Sequence, residues 1–457
     1  LNTKSGLYAG GRSSIAGRKV AVIGGGLCGL TAAYRLQQAG FVPFVLDRND
    51  YAGGRTRSNT DDGFVRDEGA CIFPSSYKDA IALALELGLQ SKMKPVRSLS
   101  TVQTGEGSYS FDMDRPLMSI LRIPGLGLID ILSLLRILPP LLRHWKVLRF
   151  DDLSGAVAAD TESAKAFCQS RITAKAYDLL INPLLRSIFA VNGDQISAAT
   201  MLWILKSFSQ ARMQAFEGGM QTLARTVSQQ LDIRTGHCVN KVEKTANDVI
   251  ISAEVDGRPT TIEADYCVIA TDGKDLQALF GHGLTARQNQ FLSDLIYMPL
   301  KMITFQTSRR PETDALIVQV LEKCDPEVCI ILINHNMHGD RAPEGKGTIS
   351  FLGTFDWQLR MADKSTAESI DDARQRISRY VPVLKTGEQA AFLAWWPRGV
   401  IIGPVGFVRE LAGFVEDMKN DARVFYAGEY LSQSSINTAV ATGNLAAQRL
   451  IASTRSP

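Results

Sequence analysis

The residues near the start of the chain whose types and spacing could do chemistry are three glycines, a carboxylate and a second glycine pair. In KVAVIGGGLCGLTAAYRL, Gly24, Gly26 and Gly29 form a G-x-G-x-x-G pattern. It lies between an apolar run, Lys19 to Ile23, and a stretch in which Leu30, Ala33, Tyr34 and Leu36 share one helical face. The first glycine permits a tight turn, the second lets backbone approach an anion, and the third lets the helix pack on the strand. At the helix start, around Leu27 and Cys28, unpaired N–H groups would meet phosphate oxygens. Gly40 closes this helix, and VPFVL reads as a second strand ending at Asp47, where a carboxylate can accept hydrogen bonds from ribose hydroxyls, with Arg48 beside it. The chemistry of this β-α-β unit is dinucleotide binding. NAD and FAD use the same turn, so the unit alone does not choose between them. Beyond Asp47, the run Gly53-Gly54-Arg55 offers two glycines and a cation able to fold over a second phosphate.

From Gly53 onward the sequence resembles the flavin-containing amine oxidase superfamily, which includes monoamine and polyamine oxidases, protoporphyrinogen oxidases and carotenoid desaturases. The G-G-R run is followed by FVRDEGACIF, FEGGMQTL, HCVNKVE, DYCVIATDG and VFYAGEYLSQSSINTAVATGNLAA, in the order in which the family carries such segments. The resemblance implies FAD bound in extended form. It implies that the D-x-G-A segment, Asp67 to Ala70, passes under the flavin with Cys71 and Ile72 also at the cofactor, that Val239 offers backbone to the adenine, and that Ala270 and Thr271 form the loop after a second dinucleotide-domain strand. Glu429, or the backbone of Gly428, would contact the ribityl and phosphate portion. A helix beginning near Ile436, with Ser434 and Ser435 available as caps, would aim its N-terminus at the pyrimidine edge of the flavin, where reduction places negative charge. Between residue 330 and the C-terminus there is no cysteine, so the flavin is expected to be held non-covalently.

For catalysis the resemblance points to Lys301 in IYMPLKMITFQ, in the role of holding a water against the flavin and assisting reaction with oxygen. A lysine inside an apolar run is costly to bury without a task, although alternate residues of an edge strand also face solvent. Trp395 and Trp396, in FLAWWPRGVIIGP, fall where the family walls its substrate cavity. Two departures argue against simple primary amines: Ser435 stands where monoamine oxidases carry an aromatic residue, and WWPRGVIIGP is closer to the style of protoporphyrinogen oxidases. The leading expectation is an FAD-dependent oxidase that takes a hydride from a C–N bond of a bulky or hydrophobic amine or amino-acid derivative. Its acceptor would be O2 and its product H2O2. The alternative is dehydrogenation of a hydrophobic ring or polyene, and a third reading is a flavoprotein that only binds. His335 and His338 read as a turn rather than a metal site, and no metal is expected. No Ser-His-Asp arrangement with a strained nucleophile turn is visible.

The elements that must position these residues suggest an α/β fold: a Rossmann-like, discontinuous FAD-binding domain with an α+β substrate-binding domain and a helical insert. Residues 16–78, 215–280 and 423–457 are assigned to the first, and 79–214 (mostly helical) and 281–422 to the second. The 457 residues, 45% hydrophobic and 21% charged with a net charge of +3, match a globular enzyme and give no sign of nucleic-acid binding. Seven scattered cysteines without a C-x-x-C pair suggest a reducing setting, and a cytoplasmic one is expected. Residues 1–18 lack the apolar core of a signal peptide, and a presequence removed before Leu1 stays open. PLMSILRIPGLGLIDILSLLRILPPLLRHW, residues 116–145, is interrupted too often to span a membrane. Its helical spacing suggests a covered core or cavity wall in preference to a membrane-surface patch. Partners are expected to be a small-molecule substrate and O2; the oligomeric state is left open.

Overall fold

The computed structural model describes residues 15–209, 212–419 and 421–454; the first fourteen residues, where a signal peptide was sought, lie outside it. Lys19–Ile23 and Val42–Leu46 are short, apolar and buried, as strands covered on both faces must be. They lie at the middle of a five-stranded parallel sheet. Its order is Asp232–Arg234, Val42–Leu46, Lys19–Ile23, Tyr266–Ile269, Val424–Tyr426. Three distant parts of the chain therefore build one sheet. Within 215–280, assigned to the FAD-binding domain, Asp232–Arg234 and Tyr266–Ile269 join this sheet. His237–Lys244, Val249–Val255 and Arg258–Ala264 form a separate antiparallel meander.

Two helices, Leu27–Gln38 and Ile436–Ser453, pack together against this sheet. Small residues set their separation. A β-carbon placed on Gly443 would lie 2.4 Å from the carbonyl oxygen of Cys28 and 3.0 Å from the Thr31 side chain. Cys28 Sγ is also 3.1 Å from Thr442 Oγ1 across the same contact.

The second sheet has seven strands, in the order Glu388–Ile402, Ile296–Thr307, Gly347–Gly353, Val328–Ile333, Ile317–Val320, Leu99–Thr104, Gly107–Asp112. Helices Phe355–Met361 and Thr366–Ile377 cover one face, where Trp357, Ala373 and Ile377 pack on Ile303, Phe305 and Phe351. The last two strands come from the segment read as mainly helical. LSTVQT and GSYSFD pair as a hairpin, and their mixed polarity hid them from a search for apolar runs.

Residues 116–145 are helical as expected, in Pro116–Ile120, Leu128–Leu134 and Leu138–His144, with a tighter turn at Leu135–Ile137. Pro139 and Pro140 have no N–H to donate to the preceding turn, which accounts for the tightening there. The expected covering is absent: Leu117 is 76% exposed and Ile129 78%, and no residue of 117–148 lines the central cavity. Among the described residues, no helix is long and apolar enough to cross a membrane.

Replacing Gly443 by Val forces apart the two helices whose N-termini face the central cavity. Overpacking of this kind costs about 1–3 kcal/mol. Urea unfolding of the flavin-free protein should show that loss together with weaker flavin uptake; an unchanged midpoint would show that the helices are free to separate.

Candidate active site

A cavity of about 760 Å³ runs from the parallel sheet to the uncovered face of the seven-stranded one. Its first half is built by the glycine turn. Gly24 has φ +104°, and a β-carbon on it would sit 2.8 Å from the carbonyl oxygen of Ala270. One on Gly29 would sit 2.0 Å from the carbonyl oxygen of Gly24. At Gly26, by contrast, a β-carbon meets nothing within 4 Å, and Gly26 lines the cavity. The helix starting at Leu27 has no side-chain cap on its N-terminus, so its first N–H groups remain for an anion.

The Gly53-Gly54-Arg55 run folds against this turn. Gly53 N donates to the Gly25 carbonyl at 2.8 Å, Gly26 and Gly53 form an isolated parallel bridge, and a β-carbon on Gly54 would come 3.3 Å from Gly26 Cα. Both glycines have positive φ. Two segments that the sequence separates by some two dozen residues thus share one wall, with room in front of Gly26. This is a cradle suited to a pyrophosphate.

Leu27, Cys28, Asp47, Arg48, Gly53, Gly54, Arg55, Ala70, Cys71, Ile72, Val239, Ala270, Gly428, Glu429 and Ile436 all line the cavity together with Gly24 and Gly26. Gly29 does not; its part is the close packing of helix on turn. The Cys28 and Cys71 thiols are pushed up to about 12 by burial, which leaves them inert at neutral pH. Asp47 accepts the Gly25 N–H on Oδ2 at 2.6 Å and Asn49 N and Nδ2 on Oδ1, each at 2.8 Å. One lone pair on Oδ2 is left for a ribose hydroxyl.

Glu429 has two protein partners in addition to its place on the cavity wall. Its Oε1 pairs with Arg55 Nη1, and its Oε2 accepts from Ser434 Oγ at 2.7 Å. Ser434 Oγ in turn accepts from Ile401 N at 2.9 Å. Each carboxylate oxygen has one partner and keeps a lone pair, so Glu429 anchors Arg55 while still facing the cavity. Arg55 Nη1 also donates to Gly399 O at 2.8 Å. Burial works against the Arg55 charge, but the Glu429 carboxylate outweighs it and raises the guanidinium above its ordinary value. Ser435 Oγ accepts from Thr438 N at 2.9 Å and caps the helix starting at Ile436, whose first residue lines the cavity.

Sequence reasoning missed a charged cluster at the nucleotide end. Arg398 pairs with Asp272 at 2.8 Å and with Asp275 at 2.5 Å, and Arg48 pairs with Asp275 at 3.1 Å. Burial, then the neighbouring Asp272, pushes the Asp275 carboxyl above its usual range. The carboxylate after the second nucleotide strand was the available signal, in DYCVIATDG; its arginine partner comes from a strand more than a hundred residues away.

Lys301 is a correction. Paired strands put Leu300 opposite Trp396 and Lys301 opposite Trp395, and directly opposed residues share a face. Met298, Leu300, Met302 and Trp396 line the cavity, whereas Lys301 and Trp395 face the other way. Lys301 Nζ donates to Met361 O at 2.6 Å, Lys364 O at 2.5 Å and Ser369 Oγ at 3.1 Å. All three donors are used, on two carbonyls at and just beyond the end of the helix Phe355–Met361, where a cation is favoured, and on a hydroxyl of the next helix. Burial lowers its pKa. Trp395, 39% exposed, lies over this ammonium at 5.2 Å and is not a cavity wall. Trp396 is, with its Nε1 fixed on Glu68 O at 2.7 Å.

Fold and cradle fit a flavoprotein oxidoreductase: the turn and the G-G-R loop form an anion cradle on one half of the cavity, and the opposite half is lined mainly by apolar side chains. The chain belongs to the family described as flavin containing amine oxidoreductase, which matches residues 27–451, and its cofactor is FAD. It is 24% identical to the mitochondrial protoporphyrinogen oxidase of Nicotiana tabacum over 95% of each chain. It is 27% identical to the 15-cis-phytoene desaturase of Synechococcus elongatus over 48% of each. In structure it is similar to a putrescine oxidase bound to putrescine, with a TM-score of 0.77 and 19% identity over 96% of this chain and all of that one.

Two substitutions separate the roles. Arg55→Leu leaves Glu429, 9% exposed, without its cation. The loss is about 1–2 kcal/mol for a partly exposed pair, so FAD titration should show affinity weakened about tenfold and partly restored by adding Glu429→Gln. Lys301→Met should lower the melting temperature, because two carbonyls lose their donor, while flavin reoxidation by oxygen stays within twofold. A large loss of reoxidation with unchanged stability would return Lys301 to the chemistry.

Proposed function

We propose that this chain is an FAD-dependent oxidase that dehydrogenates a bulky, apolar substrate uncharged at its reacting centre, namely a hydrophobic ring system or polyene. The observation that carries this reading is the distribution of charge on the cavity wall. Asp47, Arg48, Arg55, Asp272, Asp275, Arg398 and Glu429 all belong to the nucleotide end. On the substrate side the wall is Leu184, Ile188, Met213, Leu300, Met302, Ile330 and their neighbours, and among the described residues its polar side chains are the uncharged Ser98, Ser100, Ser187, Gln319 and Ser350. An ammonium ion placed there would lose its hydration without gaining a carboxylate, a cost of several kcal/mol. An extended apolar molecule gains about 25 cal/mol for each Å² it buries.

Bound FAD supplies a hydride acceptor at N5 of its isoalloxazine ring. The protein's own part is to exclude water, to fix the substrate by shape, and to hold the cofactor from both ends. Arg55 and the helix starting at Leu27 lie at the phosphate cradle, and the capped N-terminus at Ile436 lies on the same cavity. The few hydroxyls and the Gln319 amide set orientation without imposing charge. Molecular oxygen as acceptor and hydrogen peroxide as product are proposed on the strength of the oxidases among the relatives. Non-covalent attachment is in keeping with the lack of a cysteine from residue 330 to 457.

The family itself favours a second reading, oxidation of a C–N bond. The same wall would then select the neutral form of a hydrophobic amine. Anaerobic mixing of the FAD-loaded protein with substrates of graded polarity tests both. Porphyrinogens or polyenes should bleach the flavin, and putrescine should not. Bleaching by putrescine at a rate matching the apolar compounds would overturn the reading, and rapid bleaching by hydrophobic amines alone would install the second.

A further inference from the structure

We propose that the segment 115–146 is a membrane-docking face that seats the protein on anionic lipid headgroups. Among the described residues seventeen large apolar side chains are exposed, and ten of them lie between 117 and 145. Such clustering on one short segment is unlike the scattered apolar residues of an ordinary surface. In the run from Leu128 to Trp145 the exposed residues Leu128, Leu132, Leu135, Leu138, Leu142 and Trp145 recur at intervals of three and four, which places them along one helical face. The residues between them that turn inward are Ser133, Ile137 and Leu141. The apolar face therefore points away from the protein, the inverse of a helix that covers a core.

Charge chooses the occupant. Arg115, Arg122, Arg136, Arg143 and Lys146 are all exposed, and none takes part in a salt bridge among the described residues. The one acid of the segment, Asp130, is engaged by Gly127 N at 2.8 Å and Thr173 Oγ1 at 2.6 Å. Apolar side chains interleaved with cations, and a tryptophan at the end of the run, suit a surface with an oily interior and anionic headgroups. A second copy of this chain fits poorly, because a two-fold contact would set five cations against five. The face also adjoins the chamber. Met113, just before the first helix, lines the cavity, and Ile123 and Leu126 pack on Leu179 and Leu180, which lead into the helix bearing Leu184 and Ile188. Docking would thus bring the substrate half of the cavity close to a lipid phase.

The test is co-sedimentation of the full, FAD-loaded chain with vesicles of phosphatidylcholine alone and of phosphatidylcholine mixed with phosphatidylglycerol. The expected result is binding to the mixed vesicles that falls severalfold as salt is raised, with little binding to the neutral ones. Leu128→Glu with Ile129→Glu should weaken binding at least about tenfold. Leu359→Glu, an equally exposed site elsewhere (53%), should leave it unchanged. Flavin absorbance of each variant reports that it is folded. Absence of binding to the anionic vesicles overturns the proposal, as does binding that ignores the double substitution, or a dimer in light scattering that the double substitution converts to monomer. None of these readouts depends on the identity of the substrate.

Discussion

The structure rests on backbone approaching backbone at the nucleotide turn. Gly24 lies under the Ala270 carbonyl, Gly29 over that of Gly24, and Gly443 against that of Cys28. At each point a β-carbon would overlap a main-chain atom that cannot swing away. These contacts draw together the ends of the strands Lys19–Ile23 and Tyr266–Ile269 and the starts of two helices. The result is a wall of unpaired N–H groups and helix dipoles facing one cavity. The ionic groups around it are secondary in this sense: Arg55, Glu429 and Ser434 form a chain of partners that stiffens the loop after the cradle, but they act on a space that the glycines leave open.

The second constraint is the two-sidedness of a strand. Ile296–Thr307 and Glu388–Ile402 carry apolar residues on both faces, one against the helices Phe355–Met361 and Thr366–Ile377 and the other against the cavity. Lys301 reaches the former, where three oxygens await it, and Leu300 and Met302 reach the latter. This division keeps charge out of the substrate half. In the proposed reaction, hydride abstraction would depend on the fit and dryness of the wall, with the electrostatic work confined to the nucleotide end. The chamber's character and the outward apolar face of 115–146 are mutually consistent, since both suit a molecule that prefers lipid to water.

How much of this could be read from the chain depends on how local each signal is. Gly24, Gly26, Gly29 and Asp47 act within one β-α-β unit, where spacing alone dictates geometry, and the sequence placed them and their chemistry. The later segments, from Asp67 to Ala447, were legible through resemblance, and the cavity does gather Ala70, Val239, Ala270, Gly428 and Ile436. The hairpin at 99–112 was missed because its alternation is weak and its partner, Ile317–Val320, is remote in sequence.

By itself, then, the sequence determined the nucleotide turn, which follows from short-range periodicity and spacing, and its resemblance over the later segments supplied the class of cofactor. Tertiary structure alone decided which face of a strand looks inward. A period of two offers two apolar faces at Ile296–Thr307, and only the register with Glu388–Ile402 and the packing of Phe355–Met361 assign Lys301 and Trp395 to one and Trp396 to the other. It also decided that Leu128, Leu132, Leu135, Leu138 and Leu142 face out, since a helical stripe has the same spacing whether a core or a foreign surface covers it.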